Sequence, residues 1–120
     1  KRSLTMLNLV KCKKSPKECG QFNVRNGIEL YELYMQGVLK YFEETFPPSK
    51  QPHIIWQAKP FLTVIGDDSD NEQWDFVFAV KYYDGQFLKL FSDPKYVPLG
   101  AMRKAAIKNS RLIALNSARL

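Results

Sequence analysis

The sequence predicts a single α+β domain whose elements run β-α-β-β-α-β. Three features predict it. Between Asn26 and Thr45 apolar residues recur at three- and four-residue steps, the period of an amphipathic helix. Apolar runs of strand length stand at Leu4–Val10 and Trp74–Tyr83. The stretch from Glu72 to Leu115 reads strand, helix, strand, and such a half needs a matching half that the first 70 residues can supply.

Taken in order, Leu4–Val10 has two largely apolar faces. Leu4, Met6, Asn8 and Val10 point one way and Thr5, Leu7 and Leu9 the other, which places this strand at the centre of a sheet covered on both sides. Asn8 is a polar intrusion into a buried row, and a buried amide needs partners. Lys11 to Arg25 is a basic loop. Asn26-Gly27-Ile28-Glu29 has capping-box spacing with Asn in place of Ser or Thr. It opens a helix whose stripe is Tyr31, Met35, Val38, Phe42 and Phe46, flanked by Tyr34 and Tyr41, and Pro47-Pro48 ends it. Ile54 to Ile65 is a second strand interrupted by Pro60, which cannot donate to a ladder and so either assigns the strand to an edge or makes it two short pieces with a bulge.

An acidic turn, Asp67 to Glu72, leads into the third strand. There Trp74, Phe76, Phe78, Val80 and Tyr82 share one face, against Asp75, Val77, Ala79, Lys81 and Tyr83. Asp84 is placed to cap a short helix with Phe87, Leu90 and Phe91 inward. Asp93-Pro94 restarts helix, Pro98 staggers it, and Leu99, Met102, Ala105 and Ala106 form its buried stripe. Asn109-Ser110 closes that helix and Leu112 to Leu115 is the fourth strand. The order is that of a ferredoxin-like sandwich. One sheet face takes the two helices. The other carries either the aromatic row or the Val77/Ala79 row, and neither is polar enough to face water, so a second copy is expected to cover it and complete a dimeric α/β barrel.

Composition narrows the function classes. At 120 residues the chain has room for one core, and 45% hydrophobic with 25% charged residues is ordinary for a globular protein. No apolar run approaches the roughly 18 residues that span a bilayer, and Leu4–Val10 is too short and too polar for a secretory leader. Cys12 and Cys19 lack metal-ligand company and read as reduced thiols of a cytoplasmic protein. The net charge of +6 is concentrated in Lys1, Arg2, Lys11, Lys13, Lys14 and Lys17, the composition of a solvated loop. No nucleophile elbow, phosphate loop, dinucleotide fingerprint or metal set is present, so no cofactor is expected.

Laid out in this way, the chain resembles a dimeric α/β-barrel family of unknown function, within the broad group that holds EthD-like, antibiotic-biosynthesis-monooxygenase-like and stress-responsive barrel proteins. The resemblance rests on Met6-Leu-Asn-Leu-Val-Lys11, Tyr31, Tyr34 and Trp56. It continues through Leu62-Thr-Val-Ile-Gly66, Gln73-Trp-Asp-Phe-Val77, Phe87 to Tyr96, and Arg103 to Ala114. It implies a homodimer that holds a small, largely apolar organic molecule. The chemistry implied is a cofactor-independent monooxygenase- or isomerase-like step, the alternative being a non-catalytic structural or ligand-carrying dimer. Two departures stand out. Gln51-Pro-His-Ile-Ile55 replaces a Gly pair before the second strand, and Tyr82-Tyr83-Asp84 replaces Tyr-Pro-Ser before the second half's helix.

The candidate pocket residues are Asn8, Tyr31, Tyr34, Trp56, Trp74, Asp75 and Arg103; no catalytic residue is assigned. Asn8 could orient a ligand carbonyl, or could bond only to neighbouring backbone. Tyr31 and Tyr34 offer phenol donors, though tyrosines at helical spacing commonly form core with a wet tip. Trp56 and Trp74 could wall a flat ligand or fill a dimer interface. Asp75 with Arg103 could form an acid–base or anion-orienting pair, or an ordinary salt bridge. Haem-degrading barrels share a first-strand Asn and a third-strand Trp but need a helical His, and the single His here, His53, lies in a loop. An RNA-recognition module shares the element order, and Asp75-Phe76-Val-Phe78 keeps its alternating aromatics, but the signature Lys/Arg-Gly is missing and Thr5 stands where an aromatic belongs.

Overall fold

The computed structural model describes residues 3–60 and 73–116. Strands β1 (Ser3–Cys12), β2 (His53–Ala58), β3 (Phe76–Tyr83) and β4 (Ile107–Leu115) form one sheet in the order β2-β3-β1-β4, each neighbouring pair antiparallel. The helices are α1 (Cys19–Phe22), α2 (Gly27–Thr45), α3 (Gln86–Ser92) and α4 (Val97–Ala106). β3 lies between β1 and β2, and β1 between β3 and β4, so the halves interlock as split β-α-β units. This is the expected element order, with α1 added inside the basic loop.

The sheet face that meets the helices is now defined. Met6, Val10 and Cys12 of β1 and Phe78, Val80 and Tyr82 of β3 are buried against Leu30, Tyr31, Tyr34, Val38, Tyr41 and Phe42 of α2 and against Ala105 and Ala106 of α4. The aromatic row of β3 therefore fills the core, where each fully buried large side chain contributes about 1.5–3 kcal/mol. On the opposite face Leu7 lies between Ala79 and Ile113, and Leu9 between Val77 and Arg111. Toward its two edges Trp56 is 52% and Ile113 44% exposed. β1 is central, as its two apolar faces predict, but the helices cover only one of them.

α2 begins where the capping box places it. Asn26 accepts from the Glu29 amide at 2.9 Å, while the Glu29 carboxylate reaches back past the cap to the Arg25 amide and guanidinium. β2 is an edge strand and stops at Ala58, before Pro60. A register shift between Ile54 and Trp56 turns Ile54 toward the helices and Trp56 toward the open face. The rest of the expected second strand, and the acidic turn after it, lie outside the described residues.

Four local expectations change. Asp84 does not cap α3. With φ of 44° it forms a left-handed turn with Gly85, which occupies the cap position, and its carboxylate pairs with Lys50 at 2.9 Å. Gln86 secures that turn, accepting from the Tyr83 amide and donating to the Lys50 carbonyl. Phe91 is 58% exposed, because α3 has two turns and Leu90 takes the inward position. Pro98 does not stagger a helix: it sits in the first turn of α4, where a missing N–H is harmless. The stagger comes from the preceding 3₁₀ turn, Pro94–Tyr96, capped by Asp93. Finally, α4 ends at Ala106, and Asn109 and Ser110 are strand, paired with Lys11 and Val10. Pairing to the central strand overrides their turn preference.

Candidate functional site

Between the helices and the sheet lies a cavity of about 40 Å³. Each element delivers one part of its polar lining. Strand alternation points Asn8 inward between Met6 and Val10, and likewise Tyr82 on β3. The three-residue step of α2 sets Tyr31 beside Tyr34, and α4 supplies Arg103. Apolar side chains, among them Val38, Phe42, Phe78 and Leu90, complete the wall.

Four of these polar groups are under-satisfied among the described residues: Asn8, Arg103 and the buried hydroxyls of Tyr31 and Tyr82. The Asn8 amide nitrogen donates to the Met6 carbonyl at 3.2 Å, but its side-chain oxygen has no partner among the described residues, although the residue is only 9% exposed. Arg103 is half-buried and makes no hydrogen bond or ion pair among the described residues. Tyr34 is the exception. The Tyr34 hydroxyl lies 2.7 Å from that of Tyr96, and the Tyr31 and Tyr34 rings stack with centroids 5.3 Å apart. Burial pushes the Tyr31, Tyr34 and Tyr82 phenols well above their ordinary range, and the nearby Arg103 charge offsets this only partly. They remain protonated at neutral pH, so each hydroxyl keeps its hydrogen.

Beside the cavity an open groove of about 520 Å³ runs along α2 and β2. Tyr31, Met35, Leu39, Ile54 and Phe78 line both spaces and form the wall between them. The groove is mainly apolar, with Glu32, Gln36 and Gln57 as its polar lining. Small chamber and larger groove together suit a ligand with an apolar body and a compact polar head.

Of the residues singled out in the sequence, Asn8, Tyr31, Tyr34 and Arg103 come together here. Trp56 does not: it points from β2 to the open sheet face. Trp74 precedes β3, and the Arg111 guanidinium lies 5.3 Å from its ring. Asp75 is not the partner of Arg103. Its carboxylate accepts from the Cys12 amide at 2.7 Å and its own amide donates to the Val10 carbonyl, so it pins the entry of β3 to β1. His53 is exposed beside the Tyr83 ring. Phe76 and Phe78, the aromatics shared with RNA-recognition modules, pack toward the helices instead of facing out to stack bases.

Tyr96, Met35 and Leu39 enter the site without having been singled out for it. Met35 and Leu39 follow from the α2 period, but Tyr96 sits in a 3₁₀ turn that carries no local signal of burial. Both cysteines are free, and burial, with Asp75 nearby, pushes the Cys12 thiol up to about 12, too high for nucleophilic chemistry at neutral pH. Among the described residues no group of His, Cys, Asp or Glu is arranged to hold a metal, and no helix is long and apolar enough to cross a membrane.

The fold recurs in solved structures. The chain is similar to the RPA0582 protein of unknown function from Rhodopseudomonas palustris, with 28% identity and a TM-score of 0.79 over 98% of this chain and 84% of that one. At3g17210 from Arabidopsis thaliana shares the fold at 11% identity and a TM-score of 0.62, over 98% of this chain and 97% of that one. A dimeric ferredoxin-like protein of unknown function from Jannaschia sp. CCS1 does so at 15% identity and a TM-score of 0.50, over 97% and 100% of the two chains. No protein-family model matches the chain, and no curated protein does.

Proposed function

We propose that the chain is one protomer of a homodimer that binds a small, largely apolar organic molecule between α2 and the sheet. The observation that carries this is the cavity itself, where a buried Asn8 oxygen and the Arg103 guanidinium lack partners among the described residues, beside a mainly apolar groove. Unsatisfied buried polar groups are costly, and a ligand that satisfies them recovers that cost on binding. The homodimer is supported by the apolar face formed by Leu7, Leu9, Val77, Ala79 and Ile113, which two copies can cover by meeting face to face about a two-fold axis. The Jannaschia protein of the same fold is itself described as dimeric.

Binding is favoured over turnover. Among the described residues none that lines the small cavity is a carboxylate or an imidazole, and the phenols are held protonated; the nearest carboxylate, Glu32, lines the outer groove. A monooxygenase- or isomerase-like step here would consist of stabilising a negative oxygen on the substrate. Calorimetric titration with decanol, a neutral amphiphile, tests the site. Wild type binds it, and Leu39→Asp, which puts a charge on an exposed part of the groove wall, lowers affinity at least about tenfold while leaving thermal stability within about 0.5 kcal/mol. Equal affinity in both proteins would remove the groove from consideration.

A further inference from the structure

We propose that the ligand carries a carboxylate head group, which enters the cavity and is held by Arg103 with phenol donors around it; this deepens the binding role proposed above and rests on it. Arg103 is the single charged residue lining the cavity among the described residues, and no carboxylate balances it. Arg103 is half-buried, and its guanidinium, with five donors and no acceptor, calls for a partner rich in acceptors. Its surroundings add more donors. Tyr31, Tyr34 and Tyr82 line the same space, and the Tyr31 and Tyr82 hydroxyls have no partner among the described residues. The Asn8 oxygen is itself an acceptor and takes nothing from a carboxylate, so the head group is matched to Arg103 and the phenols and not to Asn8. A carboxylate has two oxygens that accept and none that donate, and its flat shape matches the guanidinium fork. An alcohol can accept from Arg103 but brings no charge to balance it, and an ammonium would meet an uncompensated positive charge.

Size points the same way. A chamber of about 40 Å³ takes a head group of a few atoms and not a whole organic molecule, while the groove of about 520 Å³ has room for the apolar remainder. Met35 and Leu39, which line both spaces, are flexible side chains that can part to join them.

The test compares decanoate with decanol by calorimetric titration of wild type and Arg103→Gln, alongside thermal unfolding without ligand. Wild type is expected to bind decanoate at least about tenfold tighter than decanol. Arg103→Gln should lose that preference, keep its affinity for decanol, and unfold no earlier than wild type, since it gives up an unpaired charge. Equal binding of the two amphiphiles by wild type, or a preference that survives in Arg103→Gln, overturns the carboxylate assignment and leaves the groove intact. If neither amphiphile binds wild type, the carboxylate assignment and the underlying binding role fall together. Should Arg103→Gln fail to fold, decylamine replaces it as the third ligand on wild type. Decylamine must then bind more weakly than decanol, and tighter binding would overturn the proposal.

Discussion

Tyr34 and Tyr96 each bring one hydroxyl into the core, and each satisfies the other. The pair is worth little against water but much against being broken, because a single removal leaves a buried hydroxyl alone. Tyr34→Phe is therefore expected to cost about 1–2 kcal/mol in denaturant unfolding, and Tyr34→Phe with Tyr96→Phe should cost less than the sum of the two single changes. A strictly additive cycle would show that the hydroxyls do not interact. At this scale the sequence was informative in part. Asn8 was recognisable because a polar side chain interrupts an apolar alternation, and Tyr31 and Tyr34 because the helix repeats. Tyr96 was not, since nothing in Asp93-Pro94-Lys95-Tyr96 says which way the turn faces. Asp75 looked like a partner for Arg103 by charge alone, yet its hydrogen bond to β1 occupies it elsewhere.

Where elements begin and end, close backbone approach matters more than propensity. Gly27, the first residue of α2, sits against the Lys13 backbone, and an added methyl group would collide with the Lys13 carbonyl. Neither backbone segment can yield easily, because Lys13 is hydrogen-bonded to Ala106 and Asn26 is fixed by its cap. Gly27→Ala is expected to destabilise by about 2 kcal/mol or more, whereas Gly20→Ala, in open space on α1, should change stability by no more than about 0.5 kcal/mol. Similar losses in both would mean that the packing at Gly27 is not limiting. The element boundaries that could be read early were those with chemistry at the junction: the Asn26 cap, the Pro47-Pro48 stop and the Asp93-Pro94 restart. Asn109-Ser110 misled because its destination is a ladder with β1, and pairing partners distant in sequence leave no trace in a local window.

For the whole molecule, the open sheet face is the feature that a single chain leaves unresolved. Ile113 lies on that face at 44% exposure, so a charge there is accommodated by the monomer but not by two faces in contact. Ile113→Asp is expected to keep its circular dichroism spectrum and sediment as a monomer at micromolar concentration, with wild type sedimenting as a dimer. A wild-type monomer would contradict the barrel arrangement outright.

By itself the sequence determined the element order and the central position of β1, and narrowed β2 to an edge strand or a broken one. Each follows from something local: a period, a proline, two apolar faces. The tertiary structure alone decided which row of β3 faces the helices. Phe76, Phe78, Val80 and Tyr82 alternate with Val77, Ala79, Lys81 and Tyr83, and both rows are apolar enough to be buried. The bulky row went inward because the aromatic stripe of α2 needs partners of matching size, and Ala79 and Val77 were left flat on the open side. That choice closed the cavity around Asn8 and Arg103, and it could only be made once α2 was laid against the sheet.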